Sequence, residues 1–287
     1  MRLSVRHTTT YRFETPVRRL VQSHRLWPSR FSGQDVIEWS VTVPGALRGA
    51  SFRDGAGDWT ETISVTGPVE ELVIEVAGEV ETRDLAGVLK GHRELVPPSA
   101  YLTATKQTFA DADIRTLARD ALDGVSAEAG LDRAHALARA VAEAVEYVPG
   151  ETEPATTAAE ALAGGKGVCQ DHTHVLIAAA QASDIPARYV TGYLMAGDQS
   201  NGTEASHAWA ELFVPVLGWV GFDAANSCCP DDRYVRLGSG YDAQDAAPIR
   251  GVVSGQSDEA LEVAVSVQPS GQSQSQSQSG DAQTQQQ

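Results

Sequence analysis

The hydrophobic period of this chain changes along its length, and that change limits its architecture more than any other feature. In the first third, apolar residues fall at every second position. The runs are Leu3, Val5, Tyr11 and Phe13, then Ile37, Trp39, Val41 and Val43, then Leu72, Ile74 and Val76. Successive side chains of a strand point to opposite faces, so each run buries one side of a strand. Pro44-Gly45, Asp54-Gly55 and Gly67-Pro68 separate the runs as turns. The pattern predicts antiparallel β structure, a small β-sandwich over residues 1–85.

The middle of the chain switches to a helical period. Ile114, Leu117, Ala118, Ala121 and Leu122 share one helix face, and Leu137, Ala138, Val141, Ala142 and Val145 share another. Thr157 and Glu160 have capping-box spacing and open a short third helix that Gly164-Gly165 stops. A fourth helix is predicted from near Cys169 to about Ser183, before Pro186. Strands follow at Arg188–Met195, His207–Val216 and Trp219–Asp223. Leu261, Val263, Val265 and Val267 predict a last one. The fold class is therefore α+β, an N-terminal β-sandwich followed by a helix-plus-antiparallel-sheet core over residues 86–268. After Gln268 a Ser/Gln/Gly tract holds no large apolar residue, so residues 269–287 are expected to be disordered.

Composition narrows the partners. Lys and Arg number 22 against 38 Asp and Glu, a net charge of −16. Nucleic acid and anionic membranes both need positive surface, so neither is expected as a partner. The arginines near the start are scattered through strand-like sequence and read as a solvated face. The alternating first residues read as a strand and not as a targeting segment, and no apolar run is long enough to span a bilayer. Three cysteines, two of them adjacent, make a poor disulfide framework and predict a reduced, cytoplasmic setting.

Three residues carry the chemistry. Cys169 follows a glycine-rich stretch and opens an apolar helix, where the positive end of the helix dipole favours the nucleophilic thiolate. Backbone amides at such a start can serve as oxyanion donors. His207 begins one strand and Asp223 ends the next, with Pro215–Gly218 as the turn between them. A hairpin centred on Pro215 places the two nearly opposite, close enough for the carboxylate to fix the imidazole tautomer. That is the order of a nucleophile, a base and its orienter.

Other assignments compete for the same residues. His172 lies three residues after Cys169 on one helix face and is a rival base. Cys169, His172 and His174 could instead belong to a metal site, although further ligands of usual spacing are missing. Gly164-Gly165-Lys166-Gly167 lacks the Ser or Thr of a phosphate loop. Cys228-Cys229 has the wrong spacing for a redox pair. Trp209 and Trp219 wall the cleft or simply pack. No cofactor or metal is expected.

The segments Gly167-Val168-Cys169-Gln170-Asp171, His207-Ala208-Trp209-Ala210-Glu211 and Gly218-Trp219-Val220-Gly221-Phe222-Asp223 resemble the three motifs of the bacterial transglutaminase-like cysteine proteinase superfamily. Ile185 to Tyr193 and Pro248-Ile249-Arg250-Gly251 are also similar to that family, and the β-rich start resembles its separate N-terminal region. One departure is visible: Ala224 follows Asp223 where the family often has proline. The resemblance implies a papain-like fold with Cys169 as nucleophile, His207 as base and acid, and Asp223 holding the imidazole. It implies cleavage or exchange of an amide bond in a protein, peptide or small amide, with hydrolysis favoured over acyl transfer. The alternative is a non-catalytic binding or scaffolding protein that keeps the cleft, against which the intact Cys, His and Asp set argues.

Overall fold

Two strands of unusual length organise the first unit of the computed structural model, which describes residues 1–195, 205–255 and 257–270. Strand β1 (Arg2–His24) pairs antiparallel with β4 (Trp59–Thr82) from Arg2↔Glu81 to His24↔Glu61. The register slips twice between Arg12 and Arg19. Strand β2 (Gln34–Thr42) extends one half of this ladder and β3 (Leu47–Arg53) the other. Leu3, Val5, Leu72, Ile74 and Val76 from one half share a core with Leu20, Ile63 and Val65 from the other. One sheet thus folds over on itself, which gives the sandwich its two layers.

The chain then crosses to the second unit through a 3-10 turn at Pro98–Leu102. Helices α1 (Ala112–Ala121), α2 (Gly130–Ala144) and α3 (Ala158–Gly164) follow, with the short strands β5 (Glu146–Tyr147) and β6 (Lys166–Gly167) pairing in parallel. Asp111 caps α1 by accepting from Asp113 and Ile114 N–H. The Thr157–Glu160 capping box and the left-handed Gly165 (φ 63°) bound α3, as the spacing predicts. Helix α4 (Cys169–Gln181) is surrounded by α1, α2 and α3 and by strands β7 (Ala187–Leu194) and β8 (Ser206–Val214). Its residues Val175–Ala180 are wholly buried, which explains why it is apolar all round. Ala208 and Ala210 on β8 face it and let helix and sheet approach closely. The sheet is completed by β9 (Gly218–Phe222) and β10 (Tyr234–Gly240), in the order β10-β7-β8-β9.

The end of the chain departs from the sequence-based boundaries, which put residues 86–268 in one unit. Strands β11 (Ile249–Ser254) and β12 (Glu259–Pro269) return to the first unit and pair with β1, β11 on its second half and β12 on its first. Their physical role is to cover the edge of β1, which would otherwise leave a long row of unpaired backbone groups. The expected disorder after Gln268 concerns a tract that, from residue 271 on, lies outside the described residues.

A buried charge network joins the two units. Arg236 of β10 donates to Asp58 Oδ1 at 2.7 Å, to Ser29 Oγ at 2.6 Å and to Glu211 Oε1 at 2.8 Å. Arg188 of β7 donates to Glu211 Oε2 at 2.7 Å and also pairs with Glu94. Its guanidinium lies 4.1 Å from the ring centre of Trp219. Trp219 is therefore packed on this cation and on Tyr101, 5.3 Å away.

Candidate active site

Cys169 is the first residue of α4, and a short set of contacts fixes where that helix begins. Val168 is extended and caps it. Asp171 Oδ2 accepts the Val168 N–H at 2.8 Å and the Thr152 hydroxyl at 2.6 Å. Gln170 Nε2 donates to Pro154 O at 3.1 Å. Residues 152–154 are thus tied to the first turn. Gly167 is required for this approach, because a Cβ there would meet Asp171 Cβ at 2.6 Å. The glycine thus admits the Asp171 carboxylate from the first turn of α4. Cys169 is half-buried and free.

His207 sits at the start of β8 and Asp223 directly after β9. The ladder runs from Ala210↔Phe222 to Val214↔Gly218, so the hairpin is centred on Val216 and not on Pro215 as expected from sequence. Asp223 leaves the ladder and bridges to Cys228. Continued, this register sets Asp223 opposite Trp209, which shares a strand face with His207. A diagonal neighbour on the same face is still within reach. His207 Nε2 and Asp223 Oδ2 are 2.5 Å apart. Cys169 is close enough to the same imidazole for its sulfur to raise the ring's pKa. The structure thus brings Cys169, His207 and Asp223 together.

Electrostatics support an ion pair at this place. Burial pulls the His207 ring down, but the bonds to Asp223 and Cys169 and their charges more than reverse it, and the ring is pushed up to about 10. Burial raises the Asp223 carboxyl, yet His207, Asn226 and Tyr234 hold it below the usual carboxylate value. His207 is 9% exposed and Asp223 2%, so solvent screens the pair little.

The rival residues point elsewhere. His172 places Nδ1 2.9 Å from Val168 O and Nε2 2.8 Å from Val145 O, so both ring nitrogens are engaged by backbone. His174 Nε2 accepts the Ala243 N–H at 3.1 Å. Neither ring joins Cys169 in a common cluster, and among the described residues no group of three His, Cys, Asp or Glu side chains is arranged to hold a metal ion. Trp209 is buried beside His207, with ring centres 6.4 Å apart.

Two contacts of Asp223 escaped sequence reasoning. Asn226 donates from Nδ2 to Asp223 Oδ2 at 2.7 Å and from its backbone to Oδ1 at 3.2 Å. Its position three residues after an aspartate is a local turn signal that could have revealed it. Tyr234 donates to Asp223 Oδ2 at 2.8 Å, and no local signal marks it.

Comparison with known proteins agrees with this architecture. Residues 115–224 match the transglutaminase-like superfamily core, and residues 3–81 match the bacterial transglutaminase-like N-terminal region. An uncharacterized protein of Mycobacterium leprae is 28% identical over 286 residues, covering 93% of this chain and 98% of its own. An uncharacterized protein of Mycobacterium tuberculosis is 28% identical over 291 residues, with 93% of each chain covered. The crystal structure of a candidate cysteine protease from Cytophaga hutchinsonii superposes with a TM-score of 0.70 at 21% identity, over 93% of this chain and 90% of that one. The chain thus carries a transglutaminase-like superfamily core over residues 115–224 and, ahead of it, a bacterial transglutaminase-like N-terminal region over residues 3–81.

Proposed function

We propose that this protein is a cysteine-dependent enzyme that opens an amide or peptide bond through Cys169, His207 and Asp223, with hydrolysis favoured over acyl transfer. The observation that carries the proposal is the 2.5 Å His207–Asp223 contact with the Cys169 sulfur close to the same ring. The thiol proton rests on His207, whose imidazolium Asp223 stabilises. The Cys169 sulfur attacks the carbonyl carbon. Val168 N–H is already bonded to Asp171, so the first-turn amides of Cys169 and Gln170 are the donors for the oxyanion. His207 returns its proton to the leaving amine and the acyl group remains on sulfur as a thioester. Water then releases the acid, or an amine takes the acyl group.

The substrate is a protein, peptide or small amide. The net charge of −16 speaks against nucleic acid and anionic membrane as partners. No helix among the described residues is long and apolar enough to cross a membrane. Three free thiols fit a reducing, cytoplasmic setting.

The test is alkylation of Cys169 by iodoacetamide, followed by mass spectrometry of its peptide from pH 5 to 10. Wild type should react faster than an ordinary thiol at neutral pH, and His207→Ala should slow it by about 10²-fold or more, the range of a lost general base. Equal rates in wild type and His207→Ala remove the proposal.

A further inference from the structure

The Asp223 carboxylate is held by more than the histidine. Its Oδ2 receives His207 at 2.5 Å, Asn226 Nδ2 at 2.7 Å and the Tyr234 hydroxyl at 2.8 Å. Asn226 comes with the turn that follows β9. Tyr234 does not, because it opens β10 at the opposite edge of the sheet from β9. A phenol brought from that distance is a product of the whole sheet and not of the local chain path.

The ring is fixed before it reaches the carboxylate. Tyr234 is 5% exposed and stands edge-on to Trp209, with centres 5.5 Å apart at 85°. It lies 6.0 Å from the His207 ring. Cys228 Sγ is 3.3 Å from the phenol oxygen. With the thiol as donor to that oxygen, the phenol proton is directed at Asp223. A carboxylate bonded only to a histidine can turn about its terminal torsion, whereas one bonded from two further directions cannot.

We propose that Tyr234 is a positioning residue of the Cys169–His207–Asp223 set, fixing the carboxylate that orients and supports the His207 ring. The inference rests on the catalytic role given to those three residues. Asp223 is faced by His207 from β8, by Tyr234 from β10, and by Asn226 and Cys228 from the intervening loop, where Asp231 and Arg233 lie near Cys228. Burial and then Asp223 itself push the Tyr234 phenol up, so it remains a proton donor throughout the working pH range.

The experiment uses full-length protein with ¹³C-carboxyl aspartate, the Asp223 signal being identified by its loss in Asp223→Asn. Tyr234→Phe keeps the ring on Trp209 and removes only the hydroxyl. The Asp223 titration midpoint should move up, and alkylation of Cys169 at pH 7 should slow about tenfold, the order expected for one charge-assisted hydrogen bond. Cys228→Ala, which removes the sulfur beside the phenol and leaves the hydroxyl, should slow alkylation less than Tyr234→Phe does. Biosynthetic 3-fluorotyrosine makes the phenol a stronger donor and should move the midpoint down, a readout that needs no substitution at 234. If Tyr234→Phe alters thermal stability alone and neither tyrosine change moves the midpoint, Tyr234 is a packing residue and the proposal is overturned. His207→Ala in the same alkylation assay separates the two failures. When it slows the reaction and Tyr234→Phe does not, only the positioning role is lost; when it too matches wild type, the triad itself is lost.

Discussion

His7, His24 and His174 are each no more than 5% exposed, and all three are held neutral. Burial lowers each to about 4. His174 shows the cause geometrically, since its Nε2 accepts a backbone N–H and has no room for a proton. His7 is bonded at both nitrogens to Tyr193 and Thr9 hydroxyls, each at 2.8 Å. Above pH 6.5 these rings are neutral whether the chain is folded or not. Between 6.5 and about 4 the unfolded chain binds three protons that the folded chain refuses, so stability falls as pH falls through that window. Each ring contributes a slope on the order of 1.4 kcal/mol per pH unit there. His92 is also lowered and acts in the same direction. Urea unfolding at successive pH values should show this slope, and His7→Gln should reduce it by about one proton. An unchanged slope would show that His7 is not held neutral. His207 acts oppositely. Its folded value is raised to about 10, so its contribution is complete below 6.5 and is lost as pH rises through 10. The alkaline decline should flatten in His207→Ala.

At the scale of elements, the start of α4 depends on one close contact. Asp171 is 1% exposed and bonds the backbone of its own cap and the Thr152 hydroxyl, and Gly167 leaves it room. Asp171→Ala leaves two donors unpaired and should cost about 1–3 kcal/mol. Gly167→Ala pushes the same carboxylate away by steric overlap. The two changes break one contact, so the double variant should cost clearly less than the sum of the singles in chemical denaturation. Full additivity would show that they act separately. Elements of this kind were legible in the sequence where local chemistry sets them. The Thr157–Glu160 box, the glycine stop after α3 and the Cys169 helix start all follow from spacing alone. So did the pairing of β8 with β9, although its centre lies one residue later. What sequence did not show was set by distant contacts. β10 is wholly buried and offers no alternation to detect. β11 carries its apolar residues on an exposed edge strand, where burial imposes little pattern. Tyr234 meets Asp223 only because β10 and β9 belong to one sheet. The candidate triad was readable because its residues sit at element ends, whereas the supporting Tyr234 bond comes from across the sheet.

At the scale of the molecule, the two units are not independent. β11 and β12 close the sandwich from the far end of the chain, so residues 86–248 are an insertion within it. Tyr193, Val235 and Leu237 from the second sheet belong to the core of the first unit. The charge network makes the dependence stronger still. Arg236 is 2% exposed, and its partners Asp58 and Ser29 come from the first unit. Asp58 also accepts Ser239 N–H at 2.7 Å on the same strand. Without Asp58 the buried Arg236 keeps only Glu211, a carboxylate it shares with Arg188, and breaking a buried pair from one side costs about 3–5 kcal/mol. Asp58→Ala should therefore destabilise the whole protein by that amount, although Asp58 lies in the opposite unit from the site. Because Arg236 also holds Glu211, four residues after His207 on β8, the loss should reach the site as well as the interface. Chemical denaturation monitored by Trp fluorescence should show one cooperative transition in wild type and in Asp58→Ala, shifted to lower denaturant in the variant. Two separate transitions in the variant, with the helical unit melting at the wild-type midpoint, would show that the units stand alone and that the network only decorates their contact.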